Sequence, residues 1–249
     1  MLRRVALLGL ASLAAGVLVG GVGGRVVMSV SAQAAGAEMV GRLTENGNRI
    51  GEFTVAGTIG LIVFVGVLGG AIGSVPVVAS DPWLRWLGPL RGLGFGVTTL
   101  AVAGYSVFDS VDFLILEPAA LNVGMFVGLV VAFGLAVVGF NWLLDKTLPA
   151  AIEGEQPGYL VVVSLGVFPL VLATLNFTSS SFCGCHPAYE IGAALLVMAI
   201  STGIHHAAKA TKRIPEWLTR TTAVTGYLSL AAAVALGLNR TITSIQQLL

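Results

Sequence analysis

The stretch FTVAGTIGLIVFVGVLGGAIGSVPVV, Phe53 to Val78, contains no Asp, Glu, Lys or Arg. About 20 apolar residues in a helix cross the roughly 30 Å hydrocarbon layer of a bilayer. This run is longer than that, and lipid supplies no water to satisfy the polar backbone of an irregular chain, so it reads as a transmembrane helix. Working outward, comparable apolar spans lie near Val5 to Val30, Gly92 to Val107, Ala119 to Leu144, Tyr159 to Asn176, Tyr189 to Ala207 and Thr222 to Leu238. The expected fold is therefore an all-α integral membrane protein of about seven transmembrane helices. The span from Gly92 is the shortest, and Gly92, Gly94 and Gly96 make its start a poor helix by propensity, so a tilted, broken or re-entrant segment is expected there.

Composition agrees with this reading. The chain has 249 residues, 56% hydrophobic and 10% charged, and its mean hydropathy is +0.92. That leaves too few polar side chains to coat a soluble globule. The 13 basic and 12 acidic residues gather between the apolar runs, where water reaches them. A net charge of +1 gives no field to draw nucleic acid, and no basic run is interleaved with aromatics, so nucleic-acid binding is set aside. Met1-Leu2-Arg3-Arg4 before an apolar run resembles a secretory signal with a cleavage site near Ser31 to Ala34. The run is longer than the roughly 7 to 15 residues of a signal core and carries Arg25, which favours an uncleaved first span.

Lys and Arg in short loops mark the cytoplasmic side. With the N-terminus inside, that side holds Arg3, Arg4, Arg85, Arg91, Lys146, Lys209, Lys212, Arg213 and Arg220, against Arg42, Arg49 and Arg240 outside. The bias predicts N-terminus in and C-terminus out, which requires an odd number of spans. Trp83, Trp86, Trp142 and Trp217 all fall at the inner span ends, as the interfacial preference of indole predicts. The outer segment 31–52 places Asn46-Gly47 between two short polar-apolar runs, the favoured type I′ turn of a small β-hairpin. Pro149, Glu153, Gly154, Glu155 and Pro157 make 147–157 a cytoplasmic linker, dividing a four-span unit, 1–146, from a three-span unit, 158–249. No internal repeat supports an inverted-repeat transporter.

Arg25 is the polar residue to explain first, because a guanidinium cannot shed its charge and is costly in hydrocarbon unless paired or able to reach water. It lies in the outer half of the first span. Its partners are expected from the outer ends of other spans, where the topology puts Asp109, Asp112, Glu117, Glu52 and Glu190. Asp112 and Asp109 lead, since Phe108-Asp109-Ser110-Val111-Asp112-Phe113 has no basic neighbour in sequence. One reading is an outward pocket for an ion, a proton or a small solute. The other is a structural ion pair that fixes how spans one and three pack.

Small residues four apart recur at Gly16 and Gly20, Gly20 and Gly24, Gly66 and Gly70, Gly69 and Gly73, and Gly124 and Gly128. Such faces let helix backbones approach closely, within one chain or across a self-association or partner seam. Cys183-Gly184-Cys185-His186 lies in the outer loop before the sixth span. Two thiolates beside an imidazole suit a soft metal such as Cu(I) or Zn, with Glu190 as a conceivable fourth ligand, while a strained local disulfide or two idle thiols fit equally well. No cofactor is firmly implied. His205 and His206 adjoin on one helix and point apart, which is unsuited to a bis-histidine haem, and the last span has no Lys for a retinal Schiff base. The sequence contains no G-x-S-x-G, H-E-x-x-H or G-x-x-x-x-G-K-[ST] motif.

Gly24-Arg25-Val26-Val27-Met28, Thr44-Glu45-Asn46-Gly47, Ile50-Gly51-Glu52-Phe53-Thr54 with Gly57-Thr58, and Asp112-Phe113 resemble a family of uncharacterised polytopic bacterial membrane proteins of the actinobacterial type. The likeness covers the four-span unit. It implies a bacterial plasma-membrane location and puts Arg25, the hairpin and Asp112 in one pattern; it implies no activity. Few intramembrane polar groups and glycine-rich faces lead to the expectation of a non-enzymatic accessory or structural subunit of a membrane assembly. The alternatives are a small transporter or channel built on Arg25 and Asp112, and a metal or redox protein using Cys183, Cys185 and His186.

Overall fold

The computed structural model describes residues 2–43, 51, 54–108, 118–148, 163–171, 189–211 and 215–249, apart from the side chains of residues 38 and 209–211. Among the described residues the protein is all-helical, with no strand. In chain order α1 is Leu2–Ala35, α2 Val55–Ser80, α3 Arg91–Phe108 and α4 Ala119–Thr147. A short helix α5 covers residues 163–171, followed by α6, Tyr189–Thr211, and α7, Glu216–Leu248. Five of them, α1, α2, α4, α6 as far as Ala208, and α7, are long and apolar enough to cross a membrane. The hairpin turn expected at Asn46-Gly47 lies outside the described residues, as does most of the 147–157 linker.

The helix ends have local causes. Thr54 caps α2, its hydroxyl accepting the Gly57 N–H at 3.1 Å, an interaction typically worth about 1 kcal/mol. After α1 the chain leaves the helix through Gly36, at φ 95°, a left-handed conformation open to glycine at little cost. Between α2 and α3 a 3-10 stretch, Arg85–Leu90, turns at Gly88, φ 53° and ψ −119°, with Pro89 behind it.

Glycines set how closely the helices cross. A Cβ on Gly16 would strike the Gly66 carbonyl, and one on Gly70 would stand 2.8 Å from the Ser12 carbonyl oxygen, so α1 and α2 meet backbone to backbone. Each helix widens to π geometry there, over Gly16–Gly23 and Ile62–Leu68. In the same way Gly134 of α4 abuts Gly92 and Gly96 of α3, Gly166 of α5 abuts Ala6 and Gly9 of α1, and Gly237 of α7 abuts Ala101 of α3. This explains why α3 is helical from Arg91 onward although Gly92, Gly94 and Gly96 disfavour it. Propensity costs about 1 kcal/mol per glycine, and the close packing that only glycine permits opposes that cost.

One hydrophobic core unites both halves of the chain. Leu8 and Ala11 of α1, Val77 of α2, Phe95 of α3, Val137 of α4, Met198 of α6 and Leu230 of α7 belong to the same buried cluster. Trp83, read from sequence as interfacial, is 1% exposed and sits in that core, whereas Trp86, Trp142 and Trp217 lie at the surface. The outward faces are apolar, with Val26, Val55, Ile59, Phe64 and Leu228 all more than half exposed.

Candidate functional site

At the end of the bundle where α1 begins and α2 ends, a single carboxylate gathers three arginines. Asp81, at the end of α2, is 1% exposed. Arg4 of α1 grips it with two donors, Nε to Oδ2 at 2.8 Å and Nη2 to Oδ1 at 3.0 Å. Arg85 Nη2 reaches Oδ2 at 3.2 Å, and Arg91 Nη1 lies 3.4 Å from Oδ1. Isolated in the interior, such a carboxylate would lose several kcal/mol of hydration, so its burial depends on these charges. The Arg91 guanidinium also lies over the Phe95 ring, 5.1 Å from its centroid, which orients it along α3.

Beneath Asp81 a second network fixes the turn. The Trp83 indole N–H donates to Thr202 Oγ1 at 3.0 Å, and the Thr202 hydroxyl donates to the Ala79 carbonyl at 2.8 Å. Gly226 of α7 admits the Trp83 ring, since a Cβ there would overlap it. His205 and Tyr227 flank the indole with ring centroids 5.4 Å away. At the same end Arg3 donates to Asp145 at 2.6 Å and to the Leu148 carbonyl at 3.1 Å, tying α1 to α4.

Of the residues that the sequence singled out, the two that are described, Arg25 and Glu190, fall elsewhere. Arg25 is on α1, 8% exposed, and lies 21 positions beyond Arg4, about 32 Å along the helix at about 1.5 Å per residue. Of its five proposed partners, Asp109, Asp112, Glu117 and Glu52 lie outside the described residues. Glu190 is described, and both its oxygens accept from Arg240 Nη2 at 3.2 Å, joining α6 to α7 at the end opposite Asp81. Cys183, Cys185 and His186 lie outside the described residues. Among the described residues no three His, Cys, Asp or Glu side chains converge to hold a metal.

Asp81 was missed because the arginine that grips it with two donors is distant in sequence: Arg4 precedes it by 77 positions. The available signal was Asp81 with Arg85 four residues on, an ion pair one helical turn apart. The length, apolarity and outward faces of five helices suggest a membrane location and fit the class of multi-pass helical membrane proteins. Compared with family models, curated proteins and solved structures, the chain matches none.

Proposed function

We propose that the chain is a seven-span protein of the bacterial plasma membrane, N-terminus in and C-terminus out, acting as a non-enzymatic accessory or structural subunit of a larger membrane assembly. The observation that carries the subunit reading is the outer face of α4. Only 22% of its apolar window is buried, against 50% for α1. Gly124, Gly128 and Gly139 on that helix have, among the described residues, no neighbour within 4 Å of where a Cβ would stand. With exposed Leu121, Leu135 and Trp142 they repeat at intervals of three, four and seven along one side of the helix. Glycine weakens a helix that faces lipid alone, and it favours one against which another backbone packs.

Seven spans follow if α3 and α5 cross as well. With 18 residues, α3 is about 27 Å long, close to the hydrocarbon thickness. The test of the subunit reading is extraction from the native membrane in mild detergent, followed by mass measurement. The expected particle exceeds the 25.5 kDa protomer with its detergent, and Gly124→Leu with Gly128→Leu reverts it to that protomer. A lone, monodisperse wild-type protomer overturns the reading.

The burial of Arg25 favours a second reading, a small transporter or channel with an outward polar pocket around Arg25, Asp109 and Asp112. Under it, Arg25→Ala and Asp112→Asn abolish a flux while folded protein remains in the membrane. If both changes only lower the yield of folded protein, the arginine is structural.

A further inference from the structure

The Asp81 cluster is charge-unbalanced. Three guanidiniums meet one carboxylate, a formal surplus of two positive charges. Among the described residues the neighbouring charges do not remove it: Asp145 is taken by Arg3, and Lys146 stands over the Trp142 ring at 4.0 Å. Arg4 spends two donors on Asp81, but Arg85 and Arg91 each make one contact with it. Each guanidinium has five N–H donors, so among the described residues most of those on Arg85 and Arg91 are left for another acceptor. The buried Arg91 Nε–H has no acceptor among the described residues.

The connection that carries Arg85 also lines an apolar groove. Leu84, Leu87 and Leu90 of the connection, Leu93 and Val97 of α3 and Leu230 of α7 line an open channel of about 340 Å³. Arg85 and Arg91 directly follow Leu84 and Leu90 in the chain, so the charged side chains and the groove are carried by the same connection between α2 and α3. Trp86, 70% exposed, stands beside them as an indole at headgroup depth would.

We propose that this surface binds an anionic phospholipid, its phosphate held by Arg85 and Arg91 and one acyl chain lying in the groove between α3 and α7. A phosphate offers several oxygens to the fork geometry of guanidinium, matching the donors that Asp81 leaves over. A free phosphate would leave the groove uncovered, and a zwitterionic lipid would bring a cation to a site already positive. Basic pockets between membrane helices recognise anionic headgroups on this principle. Binding requires that the Asp81 end lie at a headgroup layer, and it does not require a partner subunit.

The test uses the full chain purified in mild detergent and titrated with phosphatidylglycerol or phosphatidylcholine of the same acyl composition, with bound lipid counted by native mass measurement. Phosphatidylglycerol is expected to bind at least tenfold more tightly. Arg85→Gln is expected to lower that affinity about fivefold, the effect of one basic residue near an anionic surface. Val97→Trp, which fills the groove without touching the charges, is expected to lower binding of both lipids. Arg220→Gln, a basic residue at the same end whose partner is Glu216 at 2.7 Å, is expected to leave binding unchanged. Equal affinity for the two lipids overturns the proposal. So does an Arg85→Gln protein that melts like wild type and binds phosphatidylglycerol as tightly. Displacement of the lipid by millimolar inorganic phosphate also overturns it, because the site then belongs to a free anion.

Discussion

At the residue scale the largest single effect is expected at Asp81. Replacing it with Asn removes the one negative charge that, among the described residues, meets these three arginines, while leaving a side chain of the same size, so packing is kept and electrostatics lost. Breaking a buried ion pair by removing one partner typically costs about 3–5 kcal/mol, and Asp81→Asn is expected to lower the melting temperature in detergent accordingly. The exposed pair Arg220 and Glu216, both side chains 79% exposed, is expected to contribute no more than about 0.5 kcal/mol, so Arg220→Gln barely moves the melt. Comparing the two melts tests whether burial, rather than ion pairing as such, is the cause. Thr202→Val is intermediate. It removes the acceptor of the Trp83 indole N–H and the donor to the Ala79 carbonyl, and leaving these buried groups unmatched is expected to cost about 1–3 kcal/mol. Of this, the sequence offers only the spacing of Asp81 and Arg85. Arg4, Arg85 and Arg91 register there as a bias of charge toward one side, and nothing in a linear chain says that three of those charges converge on one acid.

Among the helices, the sequence identifies faces but not neighbours. The spacing of Gly16 and Gly20 and that of Gly124 and Gly128 look alike, yet the first pair packs against α2 and the second pair has open space around it. Gly16→Ala is expected to force the α1 and α2 backbones apart, because its Cβ would meet the Gly66 carbonyl. Overpacking of this kind costs about 1–3 kcal/mol. Gly124→Ala meets nothing among the described residues and is expected to gain helix propensity, up to about 1 kcal/mol. Melting both variants as isolated protomers checks the difference in sign; equal destabilisation would mean that the α1–α2 crossing is looser than described. The boundaries were legible to a similar degree. Charge-free runs located α2 and α4 within a few residues, since an apolar stretch of that length matches the thickness of the hydrocarbon layer and little else in a chain. The run Thr222 to Leu238 understated α7, which begins at Glu216 and ends at Leu248. Its outer turns carry Glu216, Arg220 and Arg240, polar residues that hydropathy excludes but an extended helix accommodates.

For the molecule as a whole, the distribution of charge makes a claim about direction that the contacts allow to be tested. The chain begins at the Asp81 end, and α7 runs from that end, where Gly226 meets Trp83, to the far end, where Arg240 meets Glu190. Four of the basic residues counted on the inner side converge at the first of these: Arg3, Arg4, Arg85 and Arg91 are joined there through Asp81 and Asp145. A basic cluster is retained on the cytoplasmic side, so the Asp81 end should face the cytoplasm. With 33 residues α7 is about 50 Å long, and both its tips stand clear of a hydrocarbon layer of roughly 30 Å. One reporter at each tip therefore reads the topology from water. In a background carrying Cys183→Ser and Cys185→Ser, a membrane-impermeant thiol reagent added to intact cells is expected to label Gln246→Cys and spare Arg220→Cys. In inside-out vesicles the preference reverses. Labelling of Arg220→Cys alone from outside would invert the molecule and move the arginine cluster to the outer leaflet. Labelling of both from one side would mean that α7 lies along the membrane rather than across it.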